Sequence, residues 1–281
     1  MLMPFRPLCL NALYPGHDRG LAADVLVARA LGGRALAVCT SLVVAGGGRV
    51  TDVLEVPSDT VAAQLEHLLA TDAPTGVKIS IVGQAQSVDA ALDLLRGVSC
   101  GPVVLDVTLS GPEGEDLADG RVREALVARF AEASVVTMRA VDAALVAGME
   151  IQTLEDAQVA VQRLHLRGAQ AVVLRLPALP ATAAEAGGDG ATPDPFRAAL
   201  VFDGNDFSLV ETPDVIGGDN LAGASSAFTL GLLRGLTGGQ PLVPAVQRAS
   251  AFAFEAVRRG GEVSPGDAPA YLNAAHLLFD Q

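Results

Sequence analysis

The sequence predicts a three-layer α/β fold, a mainly parallel central sheet with helices on both faces. Short runs rich in Val, Leu and Ile alternate with longer helical patterns almost from end to end, as expected of strands joined by crossover helices. Half of the 281 residues are apolar, yet there is no Trp and there are only two Tyr, so the core must be built from Ala, Val and Leu. Such a core suits parallel strands covered on both faces. With 18% charged residues, global disorder is excluded, and no composition shift marks a boundary, so residues 1–281 read as one domain.

The elements follow in order. A strand over 7–13 leads through a turn, Tyr14 to Gly20, into a helix over 20–31. The next strand, 34–44, ends before the glycines 46–48, and a helix over 58–71 opens on Ser58-Asp59. Strand 77–82 precedes helix 86–97, and strand 102–107 precedes helix 119–131. Strand 134–137 comes before a helix over 153–167, which opens on the capping pattern Thr153-Leu154-Glu155-Asp156. Strand 170–175 follows, and Phe202-Asp203-Gly204-Asn205-Asp206-Phe207 places a turn between strands 198–203 and 206–211, a hairpin near one sheet edge. Helices over 220–236 and 241–259 close the pattern. From Pro177 to Pro195 the chain is almost all Ala, Pro, Gly, Thr and acid, which predicts a mobile loop, either a flap over a ligand or a plain insertion.

The net charge of −13, with 19 basic against 32 acidic residues, excludes a nucleic-acid footprint. Cys9, Cys39 and Cys100 are far apart and lack metal or redox spacing, so they read as free thiols in a reducing cytoplasm. The apolar N-terminus is broken by Pro4, Arg6 and Pro7 and does not read as a signal peptide. No run approaches the ~18 apolar residues of a membrane span, and a soluble cytoplasmic protein is expected.

Ligands in open α/β sheets bind at the carboxyl ends of the strands. The turn Tyr14 to Gly20 with His17, the segment Ala45-Gly46-Gly47-Gly48, Asp106, Arg139 and Arg175 all fall there. A second signal lies at Gly217-Gly218-Asp219-Asn220-Leu221-Ala222-Gly223-Ala224-Ser225-Ser226, a glycine turn opening an apolar helix. Glycines allow close backbone approach, and the first amides of a helix are free to hold an anion. Asp219 in that turn is either an ordinary N-cap or a group that takes a proton from an attacking hydroxyl.

These residues resemble the hydroxymethylpyrimidine phosphate kinases, within the ribokinase-like superfamily that also holds the pyridoxal kinases. The resemblance runs over roughly residues 8 to 259. It is carried by Gly20-Leu21-Ala22-Ala23-Asp24, similar to G-I-Q-A-D, by Val61-Ala62-Ala63-Gln64-Leu65, by Val77-Lys78-Ile79-Ser80-Ile81-Val82-Gly83, similar to V-K-I-G-M-L-G, and by Pro102-Val103-Val104-Leu105-Asp106. It implies a sheet of eight or more strands, ATP and Mg²⁺ as cofactors, a pyrimidine alcohol of thiamine biosynthesis as acceptor, and a homodimer. The functional positions diverge. The family's S-D before its glycine turn is Leu13-Tyr14, its T-A-Q-N-T loop is Val43-Val44-Ala45-Gly46-Gly47, and the glycine and methionine of V-K-I-G-M are Ser80 and Ile81. T-P-N becomes Thr137-Met138-Arg139 and V-K-G-G-H becomes Leu174-Arg175-Leu176-Pro177-Ala178.

Two registers exist for the catalytic turn. Counting back from Leu232-Leu233-Arg234-Gly235 puts the catalytic position at Ala222, whereas matching the turn aligns Gly218-Asp219 with the superfamily's G-D and lengthens the helix by about three residues, nearly one turn. The second is preferred because the glycine turn has a geometric task. Under it, Asp219 is the base, Gly217, Gly218 and Asn220 form the anion hole, Arg139 or Arg175 faces the phosphates, and Asp106 helps to place the metal through water. Tyr14, His17, Gly20, Ala45, Gly46 and Ser80 fall in the acceptor pocket. Two readings stay open beside the pyrimidine kinase: a catalytically impaired ribokinase-like protein that binds a ligand or regulates a partner, and a kinase of pyridoxal-type vitamers. A Rossmann-type dehydrogenase is disfavoured because no G-x-G-x-x-G follows the first strand.

Overall fold

Nine strands pair into one sheet. They are β1 (Pro7–Leu13), β2 (Leu36–Gly46), β3 (Arg49–Glu55), β4 (Gly76–Ile79), β5 (Val103–Val107), β6 (Val135–Arg139), β7 (Val172–Leu176), β8 (Ala198–Phe202) and β9 (Phe207–Glu211). The computed structural model describes residues 5–46, 49–177, 198–212 and 223–263. Spatial order is β3-β2-β1-β4-β5-β6-β7-β8-β9, with parallel pairing from β2 across to β7 and antiparallel pairing at both flanks. Because β1 lies between β2 and β4, the chain extends the sheet first to one side and then to the other. That reversal makes the carboxyl ends of β1 and β4 the switch point at which such sheets open a crevice.

The strand pattern decides what each face meets. Leu8, Leu10, Val77, Ile79, Leu105, Val136, Met138, Val172 and Leu174 point to one side and pack against α2 (Ser58–Thr71), α3 (Ala85–Leu95), α4 (Gly120–Ala128), α5 (Ala140–Ala147) and α6 (Leu154–Leu166). The alternate positions Cys9, Val104, Val135 and Val173 face α1 (Leu21–Ala30), α7 (Ala224–Thr237) and α8 (Leu242–Val263). These two clusters make the three layers. The helices α7 and α8 approach closely because Gly231 and Gly235 meet Ala249 and Ala245, where a Cβ on Gly235 would come within 2.9 Å of the Ala245 Cβ. Among the described residues no helix is long and apolar enough to cross a membrane.

The capping pattern at Thr153 is realised in full, since its hydroxyl accepts from the Asp156 amide at 3.1 Å and the Asp156 carboxylate accepts from the Thr153 amide at 2.9 Å. The hairpin expected at 198–211 is β8–β9. Two elements were not expected. β3 carries only Val50, Val53 and Leu54 as apolar residues, and its backbone pairing with β2, from Ser41–Glu55 to Gly46–Arg49, makes it an edge strand without an apolar run. The helix α5 has eight residues, too few for a helical period to stand out. The loop expected over 177–195 lies outside the described residues beyond Pro177, as does the start expected at 220 for the helix that becomes α7. The cysteines are free, Cys9 and Cys100 buried and Cys39 half-buried.

Candidate active site

The face of the sheet turned toward α1, α7 and α8 changes character near the carboxyl ends of its strands. Continuing the alternation from Cys9, Val104, Val135 and Val173 brings Asn11, Asp106, Thr137, Arg139 and Arg175 to that face, and Lys78 and Ser80 join them from β4 and its end. One side of five neighbouring strands thus ends in a polar band beneath the amino end of α7.

The band is a chain of alternating charges. Lys78 Nζ donates to Asp24 Oδ1 at 2.6 Å and lies 3.9 Å from Asp106 Oδ2, and Arg175 Nη2 donates to Asp106 Oδ1 at 2.6 Å. All four side chains are at most 1% exposed. Buried charges persist only when paired and hydrogen-bonded, and these are. Asn11 Nδ2 donates to Asp24 at 2.9 Å, and its own Oδ1 accepts from the Ala12 and Ile81 amides, which ties β1 to the end of β4. Burial alone would pull the Lys78 ammonium down, but Asp24 and Asp106 outweigh it and hold its pKa above the ordinary lysine value.

The first turns of α7 close this chain from above. Ser226 Oγ accepts from Lys78 Nζ at 3.2 Å, while the Ser225 and Thr229 hydroxyls donate to Asp106 Oδ2 at 3.1 and 3.0 Å. Ser225 Oγ in turn accepts from Arg175 Nη1 at 2.5 Å, and the Arg175 guanidinium lies 5.6 Å over the Phe228 ring. The amino end of α7 is therefore fixed to β4, β5 and β7 by side chains rather than by backbone pairing.

Above the band opens a cavity of about 570 Å³. Its described wall runs from Tyr14 and Gly20 at the end of β1, past Ser110 after β5 and Arg139 after β6, to Arg175 and Ser225. Arg19, Arg139 and Arg175 are the charged side chains of that wall, and among the described residues no carboxylate lines it. Arg139 and Arg175 are ion-paired with the buried carboxylates of Asp142 and Asp106 behind the wall, so the lining presents guanidinium donors whose charge is largely compensated. Arg139 is held in place: its Nε donates to Asp142 at 2.8 Å and its Nη2 to the Ser110 carbonyl at 2.6 Å. Asp142, wholly buried, also accepts from the Leu109 and Ser110 amides at 3.1 Å and from the Ser110 hydroxyl at 2.8 Å, which braces the loop after β5. Burial pushes the Tyr14 phenol up to about 12 against the pull of Arg19 and Arg139, so it faces the cavity as a neutral hydroxyl.

Gly20 sits at φ 55° and ψ −128°, a conformation that side chains rarely adopt. A Cβ there would run into the Ala12 carbonyl oxygen and approach Tyr14 Cδ2 to 3.0 Å. Gly20→Ala is expected to destabilise the protein by at least about 1–3 kcal/mol of backbone strain and to push Tyr14 off the cavity wall. Thermal denaturation checks the first effect and Tyr14 fluorescence quenching the second.

A model of the phosphomethylpyrimidine kinases matches residues 16–271. The chain belongs to the phosphomethylpyrimidine kinase family. The hydroxymethylpyrimidine/phosphomethylpyrimidine kinase of Aquifex aeolicus is 23% identical over 248 residues, 88% of this chain and 92% of that protein. A thiamine biosynthesis bifunctional protein of Geobacter sulfurreducens is 27% identical over 95% of this chain, which spans 52% of it. Among solved structures, the phosphomethylpyrimidine kinase of Clostridium difficile 630 has a TM-score of 0.71 at 18% identity, covering 90% of this chain and 99% of that one. The pyridoxal kinase of Staphylococcus aureus in complex with AMP-PCP and pyridoxal has a TM-score of 0.78 at 21% identity, covering 98% and 95%. The fold is ribokinase-like, and members of this family are kinases.

In this phosphomethylpyrimidine kinase family member, Tyr14, Gly20, Arg139 and Arg175 come together at the cavity. His17, Ala45, Gly46 and Ser80, expected in the acceptor pocket, are not in its described wall. His17 Nε2 lies 3.4 Å from the Ala45 carbonyl, and Ala45 and Gly46 continue β2 into its pairing with Val50 and Arg49. The Ser80 hydroxyl turns toward Asp106 and Thr108, 3.5 Å from each. Gly217, Gly218, Asp219, Asn220 and Ala222 lie outside the described residues. Asn11 carries no expectation from the sequence, and Arg19, Asp24, Lys78, Ser225 and Ser226 enter it only as members of turns and matched segments, although strand alternation marks Asn11 and Lys78 as facing α7.

Asp106, expected at the metal, meets a cation of the chain itself. One of its oxygens is taken by Arg175 and the other by Ser225 and Thr229, and the Asp142 oxygens are taken by four donors. Among the described residues no group of three His, Cys, Asp or Glu side chains is placed to hold a metal ion. The described residues do not fit direct ligation of Mg²⁺ by Asp106.

Proposed function

We propose that the protein transfers the γ-phosphoryl group of ATP to the hydroxyl of a small ring alcohol, hydroxymethylpyrimidine or its phosphate. The observation that carries this reading is the cavity at the sheet's switch point, walled by three arginines and the amino end of α7, and free of acid in its described wall. The acceptor oxygen attacks the γ-phosphorus, the bond to the β-phosphate oxygen breaks, ADP leaves, and the hydroxyl proton passes to the Asp219 carboxylate. Arg139 and Arg175 compensate phosphate charge, with the amides of Gly217, Gly218, Asn220 and the helix start around the transferring group. Tyr14 and Arg19 bound the acceptor side.

The test is ADP release from ATP by the purified chain, with hydroxymethylpyrimidine, its phosphate and pyridoxal as acceptors. Turnover with the pyrimidines above pyridoxal is the expected result. Turnover with pyridoxal alone would reassign the acceptor, and nucleotide binding without turnover would make the protein a ligand-binding relative of the kinases.

A further inference from the structure

We infer that Tyr14 and Arg19 read the acceptor, and that they favour acceptors carrying an oxyanion over neutral ring alcohols. The inference rests on the kinase reading of the cavity and names what its acceptor end recognises. Three observations lead to it. The first is where hydrogen-bonding capacity remains in the described wall. The Asn11 amide is taken up by Asp24 and by the Ala12 and Ile81 amides. Thr108 donates to the Asp106 carbonyl at 3.3 Å, Ser110 donates to Asp142 and accepts from Arg139, and Ser226 accepts from Lys78. Ser225 and Arg175 are joined to each other and to Asp106. Tyr14 and Arg19 are the polar side chains of the wall that no described residue engages by a hydrogen bond.

The second observation is their placement. A bridge between Leu13 and Gly20 closes the turn after β1, which makes Tyr14 and Arg19 its next opposed positions. The His17 amide donates to the Tyr14 carbonyl at 3.1 Å, and the close fit of Gly20 against Ala12 fixes the other foot of the turn. The Tyr14 ring is anchored in an apolar cluster with Ala12, Val43, Ile81 and Leu117. The third observation is charge. Arg139 and Arg175 are balanced by Asp142 and Asp106, but Arg19, half-buried, has no ion-pair partner among the described residues. Glu115, the carboxylate that acts on Tyr14, accepts instead from the Val50 and Glu113 amides. A guanidinium beside a phenol that keeps its proton presents two donors to one oxyanion, and a neutral alcohol gives neither a charged acceptor. The phosphate of a phosphomethyl group and a ring phenolate share that chemistry.

The deciding experiment is calorimetric titration of the full chain, alone and with AMP-PCP, using hydroxymethylpyrimidine, its phosphate and pyridoxal. It needs no turnover, so its failure is distinguishable from failure of ADP release. At least one oxyanion-bearing acceptor is expected to bind about tenfold or more tighter than hydroxymethylpyrimidine. Preference for the phosphate would assign the phosphomethyl group, and preference for pyridoxal the ring phenolate. Arg19→Gln is expected to lower that preference by about tenfold, and Tyr14→Phe, which keeps the ring, by about threefold or more. Because Arg19→Gln removes no described partner, its melting temperature should stay within about 2 °C of the parent. Equal affinities for the three probes, or a preference that survives either substitution, would overturn the inference and leave the kinase reading to the ADP assay. Absence of binding by all three would overturn both.

Discussion

Replacing Lys78 with methionine is expected to destabilise the protein by about 3–5 kcal/mol, the range for breaking a buried ion pair by removing one partner. Methionine keeps the stem and loses the charge, so the effect is electrostatic. Asp24, wholly buried, would keep only Asn11 as a side-chain partner, and Asp106 would lose one of its two flanking cations. Ser226 would lose the ammonium that donates to it, which loosens the start of α7. Chemical denaturation measures the change, and a loss below about 1 kcal/mol would mean that the buried pair adds little net stability. The double variant Asp24→Asn, Lys78→Met should recover much of the loss, since it removes both charges together. The sign with pH follows from the raised Lys78 pKa: the stabilisation is fully present below the ordinary lysine value of about 10.4 and is lost as pH climbs through the folded value above it.

Asp219→Asn is expected to lower turnover by roughly 10²- to 10⁴-fold, the usual contribution of a general base, with ATP affinity nearly unchanged. Asparagine preserves the size of the side chain and any N-cap hydrogen bond it makes, so an N-cap role alone would leave turnover intact. The measurement is a paired one, ADP release for the chemistry and calorimetry for the nucleotide. Equal activity in the variant would remove Asp219 from the mechanism and return the catalytic position to the register that ends at Ala222.

The central sheet was legible because β1, β2 and β4 to β7 are dense apolar runs covered on both sides, and each is separated from the next by a recognisable helix. The flank was not. Gly46 reads as the start of a loop, but its backbone stays extended and pairs with Arg49, and a half-exposed edge strand needs no apolar run to form. That pairing carries Ala45 and Gly46 away from the cavity wall, which a motif alignment cannot register. The site was legible by halves. Asp106, Arg139 and Arg175 were recognisable as polar residues at strand ends, but their partners were not, since Asp106 and Arg175 are 69 residues apart and their pairing depends on two crossovers. Lys78 lies inside an apolar strand, where one charged residue looks like noise until its parity with Ser80 and Val104 is considered.

The polar band also has a consequence for the order in which the molecule can be completed during synthesis. Domains begin to fold from the amino end as the chain emerges, and Asp24, Lys78, Asp106 and Arg175 all leave the ribosome before Gly223, where α7 begins to form. Until that helix docks, Asp24 on α1, the charged side chains of Lys78, Asp106 and Arg175 on the strands, and the apolar Val104, Val135 and Val173 lack the cover of α7. A nascent chain of about 220 residues therefore holds a half-dressed sheet, and the segment that follows supplies its cover.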